Sequence, residues 1–196
     1  MDENQLIEHA QKGDITAFNR LVVQYQDAVY NVAYRIMSDP AAAEDATQEA
    51  FISAYKALRR FRGGSFKAWL MRIVTNQCYD ELRRHKRRPQ SSLDELTEES
   101  NSFAFMRSDD PGPEAWQQRR ELVLEIERCL EALPDEQRIV TVLCDVEGYD
   151  YQEIADIMST SLGTVKSRLS RARSRLRDCL QHVRELLPAD YRLEST

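Results

Sequence analysis

Asp150-Tyr151-Gln152-Glu153-Ile154-Ala155, followed by Gly163-Thr164-Val165-Lys166-Ser167-Arg168-Leu169-Ser170-Arg171-Ala172-Arg173, is the stretch on which the fold turns. Asp150 and Glu153 have the spacing of a capping box, in which an aspartate caps a helix and a glutamate reaches back to it. A short helix through Ile154, Ala155 and Met158 should follow. Ser161 can cap a second one. Ile154, Met158, Leu162, Val165 and Leu169 are spaced to form a core common to both helices, and Ala155 is small enough to let them approach. Residues 150–177 therefore predict a helix-turn-helix. Ser159 stands at the turn, where many such motifs have glycine.

The second helix then offers Thr164, Lys166, Ser167, Arg168, Arg171, Arg173 and Arg175 to its outer side, with no acidic residue between Thr164 and Arg177. Hydroxyls near a helix N-terminus can meet phosphate or base edges, and arginine can grip guanine or the backbone. A charge run alone is usually a solvated face. Here core spacing, two caps and one-sided basicity coincide, so duplex DNA is the expected ligand.

Upstream, the same block begins near Glu114 with a stripe of Leu122, Ile126, Cys129, Leu130 and Leu133. Pro134 opens a helix carrying Ile139, Val140, Val142 and Leu143, and Gly148 ends it. Before that block, residues 90–113 lose all periodicity and are dominated by Ser, Asp, Glu, Asn and Pro, which predicts a flexible acidic linker. Phe103, Phe105 and Met106 lie within it. The tail from 188 to 196 is expected to be disordered.

The first block is also helical. Phe18, Leu21, Val22, Tyr25, Val29, Val32, Ala33 and Ile36 recur at threes and fours. Asp39-Pro40 reads as a cap and a first-turn proline. The next helix should bury Ala43, Ala46, Ala50, Phe51, Ala54, Tyr55 and Leu58, leaving Asp45, Gln48, Glu49 and Ile52 on the opposite face. An acidic-amide face with an adjoining aliphatic residue suits a basic partner helix, although it could also be merely solvated. Arg62-Gly63-Gly64 breaks that helix, and Ser65 can cap another, which turns Phe66, Leu70, Ile73, Val74, Cys78 and Leu82 inward. Along it, Trp69, Asn76, Asp80, Arg83 and Arg87 share a side, next to a basic run from Arg83 to Arg88 that includes Arg84. Aromatic, amide and arginine groups together are what unstacked bases require. Trp69 is equally suited to a core position.

The chain totals 196 residues, with 42% hydrophobic and 31% charged, a balance that suits soluble folded helices. A net charge of -6 opposes DNA binding by the isolated chain, and predicts a subunit that binds DNA inside a larger assembly. Four cysteines (Cys78, Cys129, Cys144, Cys179) lie far apart and only three histidines are present, so no metal or other cofactor is expected. The cysteines are read as small buried hydrophobes. The acidic N-terminus is unlike a secretory signal and no apolar run could span a bilayer, so a cytoplasmic protein without membrane insertion is expected.

Together these residues resemble the sigma-70 superfamily, specifically its extracytoplasmic-function group, whose members carry two all-α helical domains, sigma-2 and sigma-4, joined by a linker. Glu44-Asp45-Ala46-Thr47-Gln48-Glu49-Ala50-Phe51 is similar to the sigma-2 segment that grips the clamp helices of the polymerase beta-prime subunit. Phe61-Arg62-Gly63-Gly64-Ser65-Phe66, with Trp69 to Ile73 and Asn76, resembles the minus-ten reading segment. The resemblance implies that the loop from Arg62 to Ser65, with Asn76, holds a flipped base. Leu133-Pro134, Gln137-Arg138 and the helix-turn-helix resemble sigma-4, which reads the minus-thirty-five element and packs on the beta flap. It implies a sigma-2 domain over 1–89, a sigma-4 domain over 114–187, core RNA polymerase and promoter DNA as partners, and control by an anti-sigma factor. A sigma-like decoy for an anti-sigma factor should lack the basic recognition helix. An operator-binding regulator leaves the first block without a role. No phosphate-binding loop or nucleophile–base pair supports an enzyme.

Overall fold

Short polar residues set where the helices begin. The structure, a computed structural model, describes residues 1–87 and 113–181. Asp2 caps α1 (Glu3–Gln11) in a capping box with Gln5, and Asp14 caps α2 (Ile15–Met37) by accepting from the backbone N–H groups of Thr16 and Ala17 at 2.8 and 3.1 Å. Asp39 caps α3 (Pro40–Ala57), with Pro40 in the first turn, and a short 3-10 turn (Leu58–Arg60) extends that helix. Ser65 accepts from the N–H of Ala68 at 3.1 Å where α4 (Phe66–Arg87) begins.

Helices α2, α3 and α4 pack around Leu21, Val29, Val32, Ala33, Ile36, Leu70, Met71 and Val74, all essentially without exposure. Ala43, Ala46, Ala50 and Ala54 form the inward stripe of α3, which lets its backbone lie close to its neighbours. Phe66 is the hub at the loop end, its ring 5.7 Å from Tyr25, 5.7 Å from Phe61 and 5.5 Å from Trp69. Gln11 ties α1 to the same end by donating to the carbonyls of Leu58 and Phe61 at 3.1 and 2.9 Å. Tyr55 departs from expectation. It is 39% exposed, with its ring lying 5.0 Å from Phe18 at the edge of the bundle.

Beyond the linker come α5 (Pro113–Glu131), α6 (Asp135–Thr141), α7 (Tyr151–Ile157) and α8 (Leu162–Leu180). After α6 the helix widens to π geometry over Val142–Val146 before Gly148, at φ +75°, ends it. Asp150 and Glu153 form the expected capping box and Ser161 caps α8. Ser159 holds the turn between α7 and α8 at φ 49°, the left-handed conformation that glycine adopts more easily. Ile154, Val165 and Leu169 are buried as expected, but Leu162 is 37% exposed and Ile157 takes its place inside. Residues 90–112 of the expected linker, Phe103, Phe105 and Met106 among them, lie outside the described residues. So do 182–187 and the tail over 188–196.

The cysteines correct the sequence reading. Cys129 in α5 and Cys179 in α8 form a disulfide. Beside it, Leu130, Leu133 and Ala172 make a small separate apolar cluster with Ile126 and Leu176. Cys144 is only partly buried, and Cys78 alone is a fully buried free thiol. Burial pushes the Cys78 thiol up to about 12, which keeps it protonated. The rest of α6, α7 and α8 shares one continuous core with α1 to α4.

Candidate nucleic-acid interface

Helix α8 divides its basic side chains into two kinds. Lys166, Arg171 and Arg175 are exposed. Arg171 folds back along its own helix, donating to the Ser167 carbonyl at 3.1 Å and the Ser167 hydroxyl at 3.2 Å. Thr164 and Ser167 are half-buried, and Ser161 and Thr164 share a hydroxyl contact at 2.8 Å. Arg168 and Arg173 are instead held by acids from the preceding segments. Arg168 donates to Glu136 at 2.5 Å. Arg173 donates to both carboxylate oxygens of Asp145, at 2.5 and 3.2 Å, and lies 3.7 Å from the Cys144 sulfur. The Asp145 bond makes Arg173 still harder to deprotonate. Spacing alone assigns all seven residues one outward role and cannot reveal Glu136 and Asp145 as the partners of Arg168 and Arg173.

Helix α4 carries two polar faces. Asn76, Asp80 and Arg83 are exposed on one, with the Arg83 guanidinium 5.5 Å from the centre of the Tyr79 ring. Trp69, expected on the same side, is half-buried against Phe61 and Phe66, at 5.2 and 5.5 Å. It therefore serves the core with one edge and borders the loop with the other. That loop bears exposed Arg62, Gly63, Gly64 and Ser65, and Gly63 and Gly64 sit at φ +96° and +89°. The side chain of Arg87 lies outside the described residues.

The second face of α4 belongs to a different site. Gln77, Glu81 and Arg84 join Asp45, Gln48 and Glu49 of α3 around a groove of about 550 Å³. Glu81 pairs with Arg84 at 2.8 Å, so this arginine lies with the acidic groove and not beside Asn76. Asp45, Gln48, Glu49 and Ile52 are all exposed on α3, with Ile52 at 44%. An open groove lined by Asp45, Glu49 and Glu81, on a helix that also exposes Ile52, can receive a basic helix.

The two halves meet through polar contacts the sequence reading did not name. Glu147, 12% exposed, forms ion pairs with Arg35 at 3.8 Å and Lys67 at 3.6 Å. Glu136 accepts from the Tyr79 hydroxyl at 2.8 Å. Burial foremost, then Glu136, raises the Tyr79 pKa. No helix among the described residues is long and apolar enough to cross a membrane.

Residues 21–88 match the family Sigma-70 region 2 and residues 123–176 match Sigma-70, region 4. The chain is 38% identical over 183 residues to the ECF RNA polymerase sigma-E factor of Escherichia coli K12, covering 92% of this chain and 95% of that one. It is also 38% identical over 164 residues to the ECF RNA polymerase sigma factor SigE of Mycolicibacterium smegmatis, covering 84% of this chain but 62% of that relative. Among solved structures, CnrH in complex with the cytosolic domain of CnrY aligns with a TM-score of 0.63 at 25% identity, over 92% of this chain and 97% of that one.

Proposed function

Because the chain belongs to the extracytoplasmic-function sigma factors of the sigma-70 superfamily, we propose that it binds core RNA polymerase in the cytoplasm and directs it to promoters. Residues 1–89 form the sigma-2 domain. Its acidic groove, with Asp45, Gln48, Glu49 and Ile52, receives the beta-prime clamp helices. The loop Arg62–Ser65 with Trp69, Asn76, Asp80 and Arg83 captures an unstacked base of the minus-ten element, and Arg87 at the basic end of α4 follows the strand backbone, whereas Arg84 belongs to the groove. Residues 114–187 form the sigma-4 domain, which reads the minus-thirty-five element through α8 and packs on the beta flap. The protein itself catalyses nothing, and an anti-sigma factor holds it in check. The observation that carries this reading is the second helix of a helix-turn-helix that exposes Lys166, Arg171 and Arg175.

Run-off transcription with core polymerase, on the DNA upstream of the protein's own gene, tests it. The wild type should yield a discrete transcript. Arg171→Glu should reduce it by roughly tenfold or more, since one good base or phosphate contact is worth about 1–3 kcal/mol, while core binding stays intact. Asp45→Arg with Glu49→Arg should instead weaken core binding itself. An inactive wild type that does not bind core would remove the sigma reading and favour an operator-binding regulator. Silence with tight core binding, on every promoter tried, would favour a decoy.

A further inference from the structure

Glu136 is the one acid described above whose two oxygens are claimed by opposite halves of the molecule. Oε1 accepts from the Tyr79 hydroxyl on α4 at 2.8 Å, and Oε2 accepts from Arg168 Nη2 on α8 at 2.5 Å. The Arg83 guanidinium lies over the Tyr79 ring. A continuous file of side chains (Arg83, Tyr79, Glu136, Arg168) thus runs from the face of α4 assigned to the minus-ten element to the helix assigned to the minus-thirty-five element. Neither end of this file touches the other directly.

We propose that Glu136 is a positioning residue through which the packing of the two halves governs Arg168. The inference rests on the DNA-reading role given above to α8. Glu136 is 45% exposed, and a solvent-exposed ion pair is weak because it must immobilise two long side chains. The Tyr79 hydroxyl removes much of that cost by fixing the carboxylate in the one orientation that keeps its second oxygen on Arg168. Arg168, only 18% exposed, is thereby kept on the protein. When the halves part, Tyr79 leaves with α4, the carboxylate turns freely, and Arg168 is exchanged readily onto a phosphate or base edge. Packed halves therefore hold back one arginine of the recognition helix, and separated halves release it.

The test compares wild type, Tyr79→Phe, Glu136→Gln and the double variant, each as the full chain. Fluorescence anisotropy at low ionic strength measures binding to a labelled duplex carrying the DNA upstream of the protein's own gene. Tyr79→Phe deletes one oxygen and leaves every side chain of α8 unchanged. It should tighten binding about threefold, as loss of one hydrogen bond to a partly exposed carboxylate implies. It should also steepen the slope of log affinity against log salt by about 0.9, the signature of one added phosphate contact. Glu136→Gln should tighten binding at least as much, and Tyr79→Phe should add nothing in that background. If Tyr79→Phe changes nothing, or acts equally with and without Glu136, the coupling is refuted. Run-off transcription by the wild type, measured alongside, separates that result from a failure of the sigma reading. A transcript with no coupling overturns only the role of Glu136, whereas no transcript and no core binding overturn both.

Discussion

Residues 1–87 and residues 113–181 are held together by different means. The first half rests on interleaved apolar side chains, with the alanine stripe of α3 and the aromatic hub at Phe66. The second half joins the same apolar core through Ile139, Leu143 and Ile154, but its periphery is fastened by specific links. These are a disulfide between α5 and α8 and acid–arginine pairs at Glu136 and Asp145. The difference suits the two tasks. A bundle that must present a fixed loop and a groove needs dense packing. Under the proposed function, a helix that offers arginines to DNA would hold some of them in exchangeable contacts.

The largest effect should come from breaking the packed half. Phe66→Ala removes the ring that Tyr25, Phe61 and Trp69 surround, and should cost roughly 4 kcal/mol in urea unfolding. A loss below about 1 kcal/mol would mean the aromatic hub is slack. Next comes the covalent link. Cys129→Ser with Cys179→Ser, or reduction of the native protein, should lower stability by roughly 3 kcal/mol, because the bond closes a loop across a sequence separation of 50. The same midpoint with and without reductant would show that the small apolar cluster beside it suffices. The smallest effect should be at the cap. Asp150→Ala leaves the N–H groups of Gln152 and Glu153 without their acceptor and should cost about 1 kcal/mol, with Asp150→Asn costing less. A larger loss would point to a wider role for this turn than capping.

Local physics made much of this legible in the sequence. Asp39, Ser65, Asp150 and Ser161 cap helices as their positions imply, since a cap bonds to N–H groups only two or three residues away. The apolar stripes of α2, α3 and α4 likewise follow from periodicity, apart from edge positions such as Tyr55 in α3, where a ring can pack sideways and stay wet. Leu162 is exposed and Ile157 buried, which the spacing of the apolar residues alone does not distinguish. What could not be read were partners distant along the chain. Glu136 and Tyr79 are 57 residues apart, Glu136 and Arg168 are 32 apart, and the two bonded cysteines 50. A charged or thiol side chain looks the same in sequence whether solvated or paired, and only the packing of whole helices decides. The same holds for Arg84, which α4's geometry assigns to the acidic groove although it sits next to Arg83.

The loop between α3 and α4 has a property of another kind. Gly63 and Gly64 both take positive φ, yet a Cβ built on either would meet nothing within 4 Å. Space does not exclude side chains there; handedness does. Two successive residues occupy backbone angles that L-amino acids disfavour and their mirror images prefer. The loop's curvature is thus inscribed in the stereochemistry of the chain. Its two glycines bend with open space beside them, while the Gln11 bond to the Phe61 carbonyl and the Ser65 cap tie down the loop's two ends.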